Sequence, residues 1–247
     1  MIEINKIYND DCLNILKQLP DKSVDLLLTD PPYGGGGKDN KFEQSDGRFG
    51  NKGSIFEKYR VSRTGGTWSQ KYQTEPTVHR SSQPGGAHKN YSGSNISNWD
   101  YAPTEEYFKE MFRVSKNQII WGGNYFSLPP TRCFLIWDKL TISEKFSMAM
   151  CEYAWTSFNA NAKRIELAPQ DSARFHPTQK PLQLFKWCLN LYSKENDLIL
   201  DCYSGSGTTA IACSELNRKF ICVEKDEFYF NKSIERLEKY RQQPQLF

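Results

Sequence analysis

Asp197-Leu198-Ile199-Leu200-Asp201-Cys202-Tyr203-Ser204-Gly205-Ser206-Gly207-Thr208-Thr209 is the stretch from which the rest of the chain can be read. Its apolar run predicts a strand, Thr208 to Leu216 continues as a helix, and Phe220 to Glu224 forms the next strand. Strand, glycine loop, helix and strand make a βαβ unit, which calls for an α/β fold with a parallel, doubly wound sheet. Glycine at 205 and 207 lets backbone approach a ligand closely, and the helix start offers unpaired N–H groups and a partial positive charge. A nucleotide-like cofactor is the physical expectation. The loop lacks the Gly-Lys-Ser/Thr of a phosphate-binding loop and the third glycine of a dinucleotide fingerprint. Glu224 closes the following strand, about twenty residues on, where a carboxylate can accept hydrogen bonds from both ribose hydroxyls.

Outward from this unit, a helix is expected from about Lys180 to Tyr192 and a charged one from about Asp226 to Arg241. Upstream, Gln118 to Gly123 and Phe134 to Asp138 read as strands, and Cys151 to Phe158 alternates like an edge or antiparallel strand. Pro103-Thr104-Glu105-Glu106 opens a helix that runs to about Val114. At the N-terminal end, a short strand from Ile7 runs into Asn9-Asp10-Asp11, and a helix-like stretch carries Leu13, Ile15, Leu16 and Leu19. Val24-Asp25-Leu26-Leu27-Leu28-Thr29 then suits a parallel strand covered by helices.

That strand ends at Asp30-Pro31-Pro32-Tyr33, where two prolines forbid further ladder bonds and put the loop at the carboxyl edge of the sheet. The loop combines a carboxylate, carbonyls held by rigid prolines, and an aromatic ring. An exocyclic amine on a base is a poor nucleophile because its lone pair is delocalised. Acceptors from Asp30 and the Pro31 carbonyl can draw its nitrogen toward tetrahedral geometry while Tyr33 stacks on the ring. The base must then leave its helix, at a cost of a few kcal/mol.

Between Gly34 and Asp100 the composition changes. Twelve of the 16 glycines fall here, and ten Lys and Arg face six Asp and Glu, so this stretch outweighs the whole chain's net charge of +3. Little periodicity over 67 residues leaves two readings, a surface insertion or a DNA-contacting lid that orders on binding. Tyr59, Trp68, Tyr72 and Tyr91 among Arg60, Arg63 and Arg80 favour the second.

Length suits one domain over residues 1–247 with this insertion at 34–100. A net charge of +3 is far from that of a protein that simply coats nucleic acid, so any polyanion must meet local patches. Seven cysteines without a Cys-x-x-Cys pair, mostly in apolar runs, read as reduced core residues of a cytoplasmic protein. No apolar stretch reaches the roughly 18 residues of a membrane span, and no signal peptide is expected. Three histidines never spaced as ligands with cysteine make a metal site an unexpected feature.

Asp30-Pro31-Pro32-Tyr33 followed later by the glycine loop resembles the amino-methyltransferases of the N6-adenine and N4-cytosine DNA family, in the permuted beta arrangement with the catalytic motif first. The resemblance covers the chain outside 34–100. His176-Pro177-Thr178-Gln179-Lys180-Pro181 is similar to the family segment that lines the S-adenosylmethionine pocket, and Asp10-Asp11-Cys12-Leu13 to the segment beside the cofactor adenine. The resemblance implies a Rossmann-like S-adenosylmethionine-dependent methyltransferase fold, with a mostly parallel seven-stranded sheet containing one antiparallel strand. It implies catalysis by Asp30, Pro31, Pro32 and Tyr33. Asp201, Tyr203, Gly205, Gly207 and Thr208 would hold the methionine portion, Glu224 the ribose, and Asp11 with Cys12 the adenine, with Ser204 also placed at the cofactor. Asp30, His176, Thr178 and Lys180 complete the implied cofactor pocket, His176 as an organiser rather than a general base.

The implied activity is site-specific DNA adenine-N6 methylation of a flipped-out base by direct in-line transfer, without a covalent intermediate or a metal. Asp rather than Ser at position 30 resembles the adenine branch. The rivals are cytosine-N4 methylation, an RNA amino-methyltransferase and a non-catalytic nucleic-acid-binding subunit. Double-stranded DNA is the expected partner, in a bacterial or phage-infected cell. A cognate restriction endonuclease, as in restriction-modification, and a homodimer are further partners that relatives suggest. The sequence departs from many members in the short stretch between Phe158 and His176, where target recognition often sits, so recognition is placed in the 34–100 insertion.

Overall fold

The computed structural model describes residues 2–33, 101–142, 149–169 and 174–242. The insertion at 34–100, and any lid or recognition role for it, lies outside the described residues. The elements are β1 (Lys6–Asn9), α1 (Cys12–Leu16), β2 (Val24–Thr29), α2 (Glu105–Val114), β3 (Ser115–Trp121), β4 (Phe134–Asp138), β5 (Cys151–Thr156), β6 (Lys163–Glu166), α3 (Leu182–Tyr192), β7 (Leu198–Asp201), α4 (Thr208–Glu215), β8 (Lys219–Glu224) and α5 (Glu227–Gln242).

The strands form one sheet in the order β1-β8-β7-β2-β3-β5-β4-β6. Neighbours pair in parallel except where β5 runs against β3 and β4. This is the Rossmann-like arrangement with one antiparallel strand, in a sheet of eight strands among the described residues rather than seven. The extra strand is β6, Lys-Arg-Ile-Glu, at the edge beside β4. Its charged residues carry no apolar alternation, so sequence periodicity passes over it, and charge on an edge discourages pairing with other chains. The antiparallel strand β5 lies inside the sheet, not at an edge, and buries Ala154, Trp155 and Thr156.

Helices cover both faces. Leu184, Phe185, Cys188 and Leu189 of α3, Ala210 to Cys213 of α4 and Leu237 of α5 pack with Leu26, Leu28, Ile119 and Ile199. On the other face Cys12, Ile15 and Leu16 of α1 and Phe108, Met111 and Val114 of α2 pack with Leu27, Ile120, Leu200 and Ile221. Burial on both sides is why β2 and β8 read as continuous apolar runs. Six of the seven cysteines are buried free thiols, and Cys151 is exposed. No helix among the described residues is long and apolar enough to cross a membrane.

The centre of the sheet positions the site. β2 and β7 are parallel neighbours, but the chain leaves β7 through α4 toward β8 and leaves β2 toward α2 and β3, on the opposite side. At such a switch point the loops beyond the carboxyl ends diverge and leave a crevice. Asp30 follows β2 and Asp201 ends β7, so both motifs open on that crevice.

Candidate active site

The crevice is a cavity of about 620 Å³, within the range of small-molecule sites. Asp30 to Tyr33, Asp11, Cys12, His176 to Lys180, Asp201 to Ser206, Thr208 and Glu224 line it, so residues distant in sequence converge as expected. Gly207 does not line it. Its left-handed φ of 72° makes it the N-cap of α4, and a Cβ there would sit 3.1 Å from Cβ of Ser233. Close packing on α5 explains that glycine.

Gly205 does face the cavity. With φ at 48°, a Cβ would meet Nε2 of His176 at 3.2 Å, so the backbone stays bare on that side. Its N–H donates to Oε2 of Glu224 at 2.7 Å, and the Asp226 N–H donates to Oε1 at 2.8 Å. These bonds orient the carboxylate while leaving lone pairs for a ligand. Burial raises the Glu224 pKa to about 7. His176 is also buried, with its ring 4.1 Å from that of Tyr229 and the Thr178 N–H donating to Nδ1 at 3.3 Å. Burial first, then the charges of Lys180 and Arg174, lowers its pKa to about 3, so the ring is neutral at physiological pH.

Two carboxylates expected to hold a cofactor have other work in the described structure. Asp201 accepts from the Thr29 hydroxyl at 2.8 Å, the Thr209 hydroxyl at 2.5 Å and the Tyr203 N–H at 3.1 Å. It clamps β2, α4 and the glycine loop together at Thr29, the residue before Asp30. Asp11 caps α1 through the Leu13 N–H at 3.0 Å, accepts the Tyr107 hydroxyl at 2.8 Å and pairs with Lys225 at 2.9 Å. Burial opposes its charge, but the Leu13 N–H, Lys225 and Tyr107 together hold the carboxyl below its usual range.

The Tyr33 hydroxyl donates to Oδ1 of Asp30 at 2.7 Å, and Lys180 pairs with Oδ2. The Tyr33 ring stacks on Tyr125 with centroids 4.4 Å apart, and a Cβ at Gly122, whose φ is 65°, would fall 2.2 Å from the Tyr33 ring. Burial, then the Asp30 charge, pushes the Tyr33 phenol far up, so it stays a donor. Sequence reading did not find Gly122 or Tyr125 as the bed of Tyr33, nor Tyr107, Lys139 and Glu152 on the cavity wall. A glutamate inside the strand Cys151–Thr156 was the available signal, since strand interiors rarely keep a charge without a purpose.

A DNA methylase family model, N6_N4_Mtase, matches residues 24–235. The Type II methyltransferase M.BglII of Bacillus subtilis is 28% identical over 265 residues, covering 92% of this chain and 67% of that protein. M.HindIII of Haemophilus influenzae, also a Type II methyltransferase, is 39% identical over 79 residues, a local match to 32% of this chain that spans a quarter, 25%, of the relative. Among solved structures, the cytosine-N4-specific PvuII DNA methyltransferase superposes with a TM-score of 0.56 at 14% identity, over 100% of this chain and 89% of its own. The family model spans Asp30 to Tyr33, the glycine loop and Glu224 alike, and the chain belongs to this N6/N4 DNA methylase family.

Proposed function

We propose that the protein is a site-specific DNA methyltransferase that transfers the methyl group of S-adenosylmethionine to the N6 amine of adenine in double-stranded DNA. The observation that carries this reading is that the Asp30 carboxylate and the Gly205–Glu224 cradle open on one cavity.

The residues present fit the cofactor. The Ser204 hydroxyl is buried on the cavity wall with no hydrogen-bond partner among the described residues, and the bare Gly205 backbone and twice-anchored Glu224 adjoin it. Glu224 would take the ribose, Cys12 with Tyr107 the adenine, and Tyr203 to Ser206 with Thr208 the methionine end. S-adenosylmethionine supplies a methyl group on a sulfonium, already activated for direct transfer. The protein's task is therefore positioning and electrostatic complementarity. Asp30 accepts a hydrogen bond from the target amine, which takes the place of the Tyr33 hydroxyl at Oδ1, and the Pro31 carbonyl accepts the second. Tyr33, released from Asp30, keeps its aromatic face for the base. No cysteine nucleophile is needed, and the buried thiols of Cys202 and Cys222, pushed well above their usual range by burial, are poorly suited to that role. Reading of the target sequence is assigned to residues 34–100 on their basic, aromatic composition.

Incubation with methyl-labelled cofactor and unmethylated DNA, followed by digestion to nucleosides, is expected to place the label in N6-methyladenine. Label in N4-methylcytosine would overturn the choice of base, and label on RNA alone or on neither would overturn the reading.

Glu224 makes the binding step pH-dependent. Its raised pKa means that it gains a proton as pH falls through about 7, which removes the charge and turns one of its two oxygens into a donor, weakening its hold on a pair of hydroxyls. Cofactor affinity measured by calorimetry is expected to be about tenfold weaker at pH 6 than at pH 8. Glu224→Gln should bind weakly at both pH values, and a wild-type affinity flat across this window would remove Glu224 from the ribose site.

A further inference from the structure

Asp30 is the first of four charges that alternate in sign along the cavity wall. Lys180, just ahead of α3, pairs with Oδ2 of Asp30 and lies 3.2 Å from Oε2 of Glu152 in β5. Glu152 Oε1 is in turn 2.5 Å from Lys139, just beyond β4. The two lysine side chains are only 7% and 8% exposed, and lysines are rarely so buried unless paired, as both are here. Burial opposes the Lys180 charge, but Asp30 and Glu152 together outweigh it and raise the pKa. Burial likewise opposes the Glu152 charge, and Lys180 and Lys139 overcome it. The row sums to zero.

Four elements supply these groups, and β2 lies two strands from β5 and three from β4 in the sheet. A row bridging that distance along the cavity wall fixes the carboxylate through one of its oxygens. Lys180 occupies Oδ2, so Oδ1 is the oxygen left to the cavity side, where the Tyr33 hydroxyl sits. Held only by Asp30, the four-carbon stem of Lys180 would let the ammonium swing. Glu152 draws it from the far side as an ion pair at 3.2 Å, and Lys139 pairs with Glu152 through its other oxygen.

We propose that Lys180 and Glu152 are positioning residues for methyl transfer: Lys180 ties down one Asp30 oxygen so that the other is presented to the target amine, and Glu152 keeps Lys180 aimed. This rests on the amino-methyltransferase reading above. It assigns Lys180 to the acceptor side of the reaction instead of the cofactor, and gives Glu152 no direct contact with the base. If so, Glu152 acts only through Lys180. Once Lys180 is gone, the Glu152 charge merely repels that of Asp30, and its removal costs nothing further.

The test is a double-mutant cycle on the whole protein with Lys180→Met, Glu152→Gln and the pair, reading the single-turnover rate of DNA methylation together with cofactor and DNA affinities and melting curves. Lys180→Met is expected to slow transfer about 100-fold and Glu152→Gln about tenfold, with both affinities near wild type, because a misplaced acceptor costs rate rather than binding. The double variant should be no slower than Lys180→Met alone. Losses that multiply to about 1000-fold would overturn the proposal, as would a Glu152→Gln defect confined to DNA affinity, which would mark a base contact. Should Lys180→Met melt below the assay temperature, Lys180→Gln, which likewise removes the charge, replaces it under the same criterion. Wild-type protein that methylates no DNA base would bring down the underlying reading and this one with it. An active wild type with multiplying losses brings down this one alone.

Discussion

Asp30→Ala is expected to lower the rate of methyl transfer by about 10² to 10³ while leaving cofactor affinity nearly unchanged. The carboxylate stands at the end of β2, its Oδ2 held by Lys180 and its Oδ1 open to whatever replaces the Tyr33 hydroxyl. As the amine attacks, positive charge grows on its nitrogen, and an acceptor fixed beforehand stabilises that charge without reorganisation. Alanine removes the acceptor but leaves the fold largely undisturbed, because the neighbouring Thr29–Asp201 bond is untouched and Lys180 retains Glu152. Asp30→Asn, which keeps one carbonyl oxygen, should fall between wild type and alanine. Single-turnover labelling beside calorimetric cofactor titration checks both halves. An alanine variant that keeps more than about a tenth of the wild-type rate would mean that positioning alone carries the reaction.

Loss of Asp201 should be felt in stability. Asp201→Ala leaves the Thr29 and Thr209 hydroxyls and the Tyr203 N–H without their acceptor in a buried place. Each stranded donor costs about 1–3 kcal/mol, while the hydroxyls can turn to other acceptors and loss of a carboxylate whose charge burial disfavours offsets part of the cost, so a total of about 3 kcal/mol is expected. Against a whole-domain stability of roughly 5–15 kcal/mol this is large, and at about 2–4 °C per kcal/mol it lowers Tm by about 6–12 °C. Calorimetric melting of the protein without cofactor isolates the effect. A Tm within about 2 °C of wild type would show that the clamp is not structural, and that Asp201 is free to serve a ligand as the family resemblance implies.

These two aspartates mark what local pattern can and cannot say. Both stand at the carboxyl end of an apolar strand and line one cavity, and that placement was legible because strand ends, prolines and glycines are local signals. Their division of labour was not legible. Asp30 turns its carboxylate to the cavity, whereas Asp201 turns its own to Thr29, 172 positions away in sequence, and to Thr209. Asp11, expected at the cofactor adenine, lines the cavity, and its carboxylate also bonds Leu13, Tyr107 and Lys225, which no local pattern foretells. The same limit applies to Gly207, which sits in the left-handed region at φ 72° and packs closely on Ser233 of α5.

By itself, the sequence determined the α/β class, the order of strands and helices, the two loops that meet at the switch point, and the chemistry their residues can offer. These follow from the periodicity of apolar residues and from the backbone limits of proline and glycine, which act over a few positions. Only the tertiary structure decided that a charged segment such as Lys163–Glu166 becomes an eighth strand, that Gly122 and Tyr125 bed Tyr33, and that Glu152 and Lys139 stand behind Lys180 and Asp30. Each of these depends on which atoms lie opposite a side chain after the sheet is assembled, and a charge or a glycine looks the same in sequence whether it meets water, a ligand or another residue far along the chain.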